Sequence, residues 1–172
     1  EQFHRMDAQL SLMREDLESE FKTTVDRVNK LTTEIARLNT RILADKQDTA
    51  SIAGNLDDER DRLVDELATL MDISAKEQSD GTYTVTGAIG AGILLVDKGL
   101  SSELAVTALV RDGAIVSDLV IAGNGARIEV NAGRLAGILD TRDNKLTSFQ
   151  DTLNQVARVF VDRFNIQHAS GF

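Results

Sequence analysis

Residues 28–42 read VNKLTTEIARLNTRI, and this stretch decides the fold. Its large apolar side chains alternate at intervals of three and four residues: Val28, Leu31, Ile35, Leu38 and Ile42. That alternation is typical of a coiled-coil seam. The same rhythm runs upstream through Phe3, Met6, Leu10, Met13 and Leu17. It slips between the two runs, at Phe21 and Val25, so the sequence predicts one helix from about Gln2 to about Asp45 with a register break inside it.

Two further helices are predicted downstream. The small-polar stretch Gln47–Gly54 is expected to turn the chain, and Asn55 is expected to cap a second helix that ends near Asp72. That helix has a seam of Leu56, Leu63, Leu67 and Leu70. The last helix is predicted from about Gly133 to about Ala169, with Leu139, Leu146, Leu153 and Phe160 at one heptad position of its seam and Phe149 and Val156 at the other. Arg142 and Arg163 fall on that second position, where full burial would be costly, so a narrow or wet seam is expected there.

The middle of the chain has a period of two residues, which indicates strands. Tyr83 and Val85 alternate with threonines after the Asp80-Gly81 turn. Further strands are expected at Ile93–Val96, Leu104–Val110, Ala114–Ile121 and Arg127–Val130. Asp112-Gly113 is a hairpin signal between two of them. Five or six short strands with tight turns predict a small antiparallel domain.

The predicted fold class is therefore α+β, with a small antiparallel β domain inserted between the long, coiled-coil-like helices of an antiparallel bundle. Residues 1–72 and 132–172 are expected to form the helical stalk, and residues 73–131 the β domain. A three-helix arrangement is the simplest way to bury three seams in one chain.

Composition excludes several classes of function. The net charge is −9, which argues against binding to nucleic acid or to an anionic membrane, since both need a basic surface. The chain has no cysteine, so thiol catalysis, thiolate metal sites and disulfides are excluded. It has no apolar run long enough to span a membrane and no signal peptide. Since it opens with Glu1 in the middle of a heptad, we expect a fragment that lacks its natural termini.

The sequence contains no convincing catalytic, cofactor or metal site. His4 and His168 are the only histidines, and neither has a second ligand at metal spacing. The glycine-rich stretch Gly87–Gly92 lacks the lysine of a phosphate loop and runs into a strand, so a plain β loop is expected. The acidic run Asp57–Glu66 is interleaved with arginines and is explained by helix capping and surface ion pairs. We therefore expect no enzyme activity, no cofactor and no small-molecule substrate.

Four stretches together resemble the flagellar hook-associated protein 1 family, the proteins of the hook–filament junction in bacterial flagella. Residues 55–67, NLDDERDRLVDEL, are similar to that family's N-D-L-x-D-x-R-D-x-L-x-x-E-L helix, best from Leu56 onward. Residues 133–143, GRLAGILDTRD, resemble its entry into the returning helix, and residues 164–171, FNIQHASG, resemble its ending. Residues 28–39, VNKLTTEIARLN, are similar to that family's I-N-x-L-x-x-x-I-A-x-L-N helix.

The resemblance implies a structural subunit that joins hook to filament through packing with its own copies and with other subunits. It implies that the hook protein and the second junction protein are neighbours, and that an export chaperone binds a C-terminal segment absent from this sequence. It also implies an extracellular location in the flagellum, reached through the flagellar secretion channel without a cleaved signal peptide. In this family the helical part packs in a tube and the β domain faces outward.

The same resemblance suggests candidate structural or subunit-interface residues. Gly133 and Gly137 would let the returning helix approach the β domain closely. Arg60 with Asp61, and Arg142 with Asp143, would form salt bridges between helices, although solvated surface pairs explain each pair equally well. The last candidates lie near the end of the stalk, where they would contact neighbours or the missing axial segments: Phe164, Asn165, Gln167 and His168.

Other functions remain open from the sequence. Another axial flagellar protein, either flagellin or the second junction protein, would share the helix–β–helix layout. A coiled-coil adhesin or adaptor would share the heptads, but it would form a parallel oligomer in isolation, whereas a trimmed junction core would be a monomer.

Overall fold

The computed structural model describes residues 2–45, 53–87, 92–111 and 114–171. Residues 47–52 of the predicted linker, the turn at 112–113 and most of the glycine-rich stretch therefore lie outside the described residues, whereas residues 53–54 are helical. The chain divides into two compact units. One, the helical unit, consists of Glu1–Glu20 with Ile138–Phe172, and the other, the mixed unit, is Phe21–Gly137. The predicted boundaries, at residues 72–73 and 131–132, separate helices from strands. The observed units divide instead at residues 20–21 and 137–138.

Helix α1, Gln2–Asp45, confirms the predicted first helix and contributes to both units. Its 44 residues correspond to ~66 Å of helix. Every seam residue from Val28 to Ile42 is buried, as are Phe21 and Val25 at the register break. Upstream, Met6 and Met13 are about half exposed, at 44% and 50%. The seam is thus a closed core in the mixed unit and an open one in the helical unit.

Helix α2, Ala53–Leu70, packs the first part of its leucine seam on α1. Leu56 joins Leu38 and Ile42 in one buried cluster, with Leu63 packed against it. The prediction that Asn55 caps this helix is wrong, because the helix already begins at Ala53 and Asn55 lies within its first turn.

Six strands follow. The first four form an antiparallel sheet in the order β1-β2-β3-β4: β1 Ile73–Glu77, β2 Tyr83–Gly87, β3 Ile93–Asp97 and β4 Leu100–Ser101. The turn before β2 is confirmed: Gly81 has a φ of 83° and donates its N–H to Gln78 O at 2.9 Å. The last two strands, β5 Leu104–Arg111 and β6 Ala114–Ile121, pair in continuous antiparallel register.

The strand predicted at Arg127–Val130 is wrong. Only a single bridge, Val120 to Arg127, is formed there. Ile128 is buried and donates its N–H to Leu119 O at 2.8 Å, but the chain then leaves the sheet. Asn131 donates its N–H to the Asp72 carboxylate at 3.1 Å, which directs the chain into the returning helix.

The returning helix has three parts. Helix α3 is Gly133–Asp140, a π-helical turn covers Thr141–Lys145, and α4 is Leu146–Ala169. Its extent agrees with the prediction, but the π-helical turn was not foreseen. In the helical unit α4 lies beside the start of α1, where the rings of Phe3 and Phe160 have centroids 6.5 Å apart.

Candidate functional site

A buried asparagine joins helix α1 to two parts of the four-stranded sheet. The Asn39 side chain is fully buried. Its Oδ1 accepts the Tyr83 N–H at 2.9 Å, and its Nδ2 donates to Tyr83 O at 2.8 Å and to Lys98 O at 2.8 Å. Because the amide presents both a donor and an acceptor to Tyr83, it pairs with β2 as a neighbouring strand would. It also secures Lys98, whose positive φ of 53° is uncommon for a residue other than glycine.

Arg60 on α2 completes this cluster. Its side chain is buried, and Nη1 donates to Gly81 O at 2.7 Å and to Asn39 Oδ1 at 3.4 Å. Nη2 pairs with the Asp57 carboxylate at 2.8 Å. The guanidinium lies 3.7 Å from the centre of the Tyr83 ring, within the range of a cation–π contact. Arg60 is thus a central connection between α2, α1 and the sheet.

The salt bridge expected between Arg60 and Asp61 is replaced by the pair with Asp57. Residues three apart on a helix lie on one face, whereas adjacent residues point in different directions. Asp61 instead accepts a hydrogen bond from the Tyr83 hydroxyl. Arg60 and Asp61 therefore both bind the same tyrosine, one at its ring and one at its hydroxyl.

Burial raises the pKa of Tyr83 above its ordinary value, and the hydrogen bond to Asp61 and its negative charge raise it further, against the effect of Arg60. A raised folded-state pKa means that this contribution to stability is present below pH about 10 and is lost as pH rises through the folded-state pKa. Because Tyr83 is the only tyrosine and tryptophan is absent, tyrosinate absorbance reports this group alone.

We expect the absorbance titration of the native chain to have its midpoint above that of the urea-unfolded chain. Asp61→Ala should lower the native midpoint, since both the hydrogen bond and the charge are removed. Asp65→Ala, an exposed acidic residue on the same helix, is the matched control and should leave the midpoint unchanged. Equal midpoints for native Asp61→Ala and the native parent would contradict the assigned contact.

A second asparagine, Asn29, holds the start of β5 in the same way. Its Nδ2 donates to Leu104 O and its Oδ1 accepts the Leu104 N–H, both at 2.8 Å. Sequence reasoning missed the role of both asparagines. The available signal was a polar amide beside a heptad seam, in a helix interior where asparagine has poor propensity.

The two candidate glycines have different surroundings. A Cβ on Gly133 would lie 2.7 Å from the backbone at Leu70 and Met71, and its φ is +81°. The close approach is therefore real, but it is to the end of α2 rather than to a strand. A Cβ on Gly137 would meet nothing within 4 Å, so the expectation of a close approach is wrong there.

Gly133→Ala is expected to lower the free energy of unfolding by about 2 kcal/mol, because a left-handed backbone is costly for alanine and the Cβ would overlap backbone atoms. Gly137→Ala is the matched control. It should raise stability by about 0.5–1 kcal/mol, since it replaces a helical glycine in open space. Urea unfolding followed by Tyr83 fluorescence measures both, and a harmless Gly133→Ala would contradict the packing described.

Arg142 forms the polar centre of the helical unit. Its side chain is 2% exposed, yet it pairs with Glu18 on α1 at 3.0 Å and with Asp143 at 2.7 Å. Burial alone would lower the pKa of Arg142, but Asp143 and Glu18 together raise it above its ordinary value. The guanidinium therefore stays charged at every accessible pH. The pair with Glu18 connects two helices, whereas Asp143 is the next residue in the chain and supports the guanidinium from its own turn. Arg163, the other arginine on the predicted seam, is exposed.

The four candidates near the end of α4 are all exposed, at positions 164, 165, 167 and 168. Phe164 and His168 stack with centroids 6.4 Å apart and an interplanar angle of 4°. Nearby, Phe160 and Ile166 are 63% and 70% exposed. The structure thus gathers these residues on one open, partly aromatic stretch of helix in the helical unit.

An apolar groove lies in the helical unit, between α1 and the first part of α4. Its volume is about 380 Å³, and it is lined mainly by Met6, Leu10, Met13, Phe149 and Leu153. Among the described residues, no group of three or more histidine, aspartate or glutamate side chains could hold a metal ion. No helix in the described part of the chain is both long and apolar enough to cross a membrane. The described contacts hold backbone segments and helices together and present no catalytic arrangement.

Comparisons with known proteins agree with this architecture. The sequence model described as "Flagellar hook-associated protein FlgK helical domain" matches residues 1–172. "Flagellar hook-associated protein 1" of Escherichia coli (strain K12) is 34% identical over 158 residues, which cover 87% of this chain and 28% of that protein. The protein of the same name from Salmonella typhimurium is 31% identical over 156 residues, again 87% of this chain and 28% of the relative.

A solved structure is similar as well. The flagellar hook junction protein FlgK from Burkholderia pseudomallei superposes with a TM-score of 0.69 at 28% sequence identity, covering 82% of this chain and 26% of that one. The chain thus spans little more than a quarter of the length of these relatives. Since the family match extends over the whole sequence, this chain belongs to the family of the flagellar hook-associated protein FlgK helical domain.

Proposed function

We propose that the protein carrying this chain is a structural subunit of the bacterial flagellum that joins the hook to the filament. The family match over residues 1–172, to relatives named for the hook and its junction, carries this proposal. The described contacts suit the role, since they fix helices and strands to one another and form no reaction site. The protein is accordingly proposed to have no enzyme activity.

The proposed partners are further copies of the same subunit, the hook protein and the second junction protein. Contacts between unlike surfaces of identical subunits generate rings or helical tubes, which is the geometry of an axial structure. We place the protein outside the cell, exported through the flagellar secretion channel without a cleaved signal peptide and escorted by a chaperone that binds beyond this chain. Residues 73–131 are the candidate outward-facing part, and residues 1–72 and 132–172 the candidate packing part.

Immunogold electron microscopy of intact flagella, with antibody raised against this chain, tests the proposal. Label confined to the boundary of hook and filament is the expected result. Label along the filament would contradict it and favour a flagellin-like subunit. No flagellar label, with the antigen elsewhere on the cell surface, would contradict it in favour of an adhesin or adaptor.

The exposed end of α4 is the candidate packing surface for neighbouring subunits. Phe164→Ala and His168→Ala are expected to change the free energy of unfolding by less than about 0.5 kcal/mol, because both side chains are exposed, while reducing junction assembly. Filament attachment in cells that produce the full-length variants, compared with urea unfolding of the chain, measures the two effects. Asn154→Ala, which changes an exposed residue earlier on α4, is the control. Normal attachment with a destabilised chain would contradict the assignment.

A further inference from the structure

The π-helical turn Thr141–Lys145 interrupts an otherwise α-helical run from Gly133 to Ala169. The Leu146 N–H donates to Thr141 O, five residues back instead of four. Such a turn accommodates one more residue than an α-helical turn, so it rotates everything after it by the angle of one residue, about 100°.

The burial pattern records this rotation. Before the turn the buried residues are Leu135, Ile138 and Arg142, at intervals of three and four. A regular continuation would bury positions 145, 149, 152 and 156. After the turn, the covered residues are instead Leu146, Gln150, Leu153 and Ala157, each one position later. The Gln150 amide is hydrogen-bonded to Asp7 of α1, which confirms that this later face is the one turned to α1.

The rotation leaves three large apolar side chains of α4 largely exposed. Phe149, Val156 and Val159 occupy the positions that a regular helix would bury, and they are 65%, 53% and 49% exposed. Phe149 lines the edge of the apolar groove beside α1, whereas Val156 and Val159 take no part in the described packing. Large apolar side chains are costly to leave in water. If the turn were α-helical, these three positions would face α1 and their side chains would be covered.

We propose that the π-helical turn is a one-residue register switch. In the described state it turns the seam of Leu146, Leu153 and Phe160 toward α1. Conversion to an α-helical turn rotates α4 and brings Phe149, Val156 and Val159 to that side. Arg142 lies near the start of the turn. Its ion pair with Glu18 therefore holds that end of the turn in both states.

Cysteine crosslinking in the complete chain tests this, because the protein has no cysteine of its own. Phe3→Cys is combined in turn with Phe160→Cys, Val159→Cys or Val161→Cys, and each pair is exposed to a mild oxidant. The first pair reports the described register, since the two rings lie 6.5 Å apart. The second reports the exchanged register, and the third matches neither. We expect rapid crosslinking at 160, slower crosslinking at 159 and only background at 161.

Deletion of Asn144 tests two statements separately: that the turn contains one extra residue, and that the turn can convert to an α-helical turn. This side chain is exposed and bonds only within its own turn, to Asp140 at 2.9 Å, and its loss places Lys145 four residues from Asp140, where a helical ion pair forms. Without the extra residue, the described register becomes a regular α-helix. Crosslinking at 160 should therefore persist, and crosslinking at 159 should fall to the background seen at 161.

Loss of the 160 crosslink in the deletion variant would show that the turn is not a one-residue insertion. Crosslinking at 159 that is absent from the parent, or that survives the deletion, would overturn the exchange. The experiment requires no assembly partner, so either result is independent of where the antibody labels the flagellum.

Discussion

Asn39→Ala is expected to lower the free energy of unfolding of the mixed unit by about 4 kcal/mol, since it leaves several buried polar groups unpaired at once. The Tyr83 N–H and the carbonyls of Tyr83 and Lys98 all lose their partner. Arg60 loses an acceptor on the other side. Because Lys98 keeps an unfavourable φ, its turn should loosen first.

Urea unfolding followed by Tyr83 fluorescence measures this change, because the only tyrosine lies in the same unit and next to the site. Asn154→Ala, an asparagine exposed on α4, is the matched control and should change stability by less than about 0.5 kcal/mol. Asn29→Ala should fall between the two, because it breaks a pair of bonds to a single residue, Leu104. If the free energy of unfolding falls no further for Asn39→Ala than for the control, then water replaces the amide and the hydrogen bonds of Asn39 do not stabilise the fold.

Arg142→Met is expected to destabilise the helical unit by about 3 kcal/mol. Removing one member of a buried ion pair leaves the other charges without that compensation, which costs more than the pair itself contributes. Glu18 and Asp143 are 25% and 22% exposed, so water recovers part of the loss and the effect should lie at the low end of the range for buried pairs. Since this unit has no tyrosine, its unfolding is followed by the helical circular dichroism signal.

Two further variants make the interpretation specific. Arg163→Met changes an exposed arginine on the same helix and should be nearly neutral. Adding Glu18→Gln to Arg142→Met should recover part of the lost stability, because it removes a charge that has lost its Arg142 partner. If the double variant is no more stable than Arg142→Met, then lost packing rather than charge accounts for the effect.

The helices and most strands followed from local pattern. The alternation of three and four residues gave α1 its correct extent, and the period of two residues gave β2, β3, β5 and β6. These patterns are readable because a helix or strand exposes one face to the core, and that face repeats at the period of the backbone. The strand expected at Arg127–Val130 failed because a local pattern cannot show whether a partner strand is present.

The contacts that join the helices to the sheet could not be predicted from the sequence. Asn39 and Arg60 are 21 residues apart, and Asn39 and Lys98 are 59 apart. Nothing in their spacing shows that they meet. Likewise, Gly133 and Gly137 look equivalent in sequence, and only their neighbours distinguish the one that fits against α2 from the one in open space.

The sequence by itself determined the α+β class, the long first helix, the extent of the returning helix and, through its motifs, the family. Only the tertiary structure decided which polar side chains hold the sheet to the helices, that Arg142 is buried with Glu18, and that α4 is rotated by one residue after the π-helical turn. The physical reason is the same in each case. Secondary structure follows from the period of apolar side chains along the chain, whereas buried polar pairs and helix register depend on partners that lie far away in sequence.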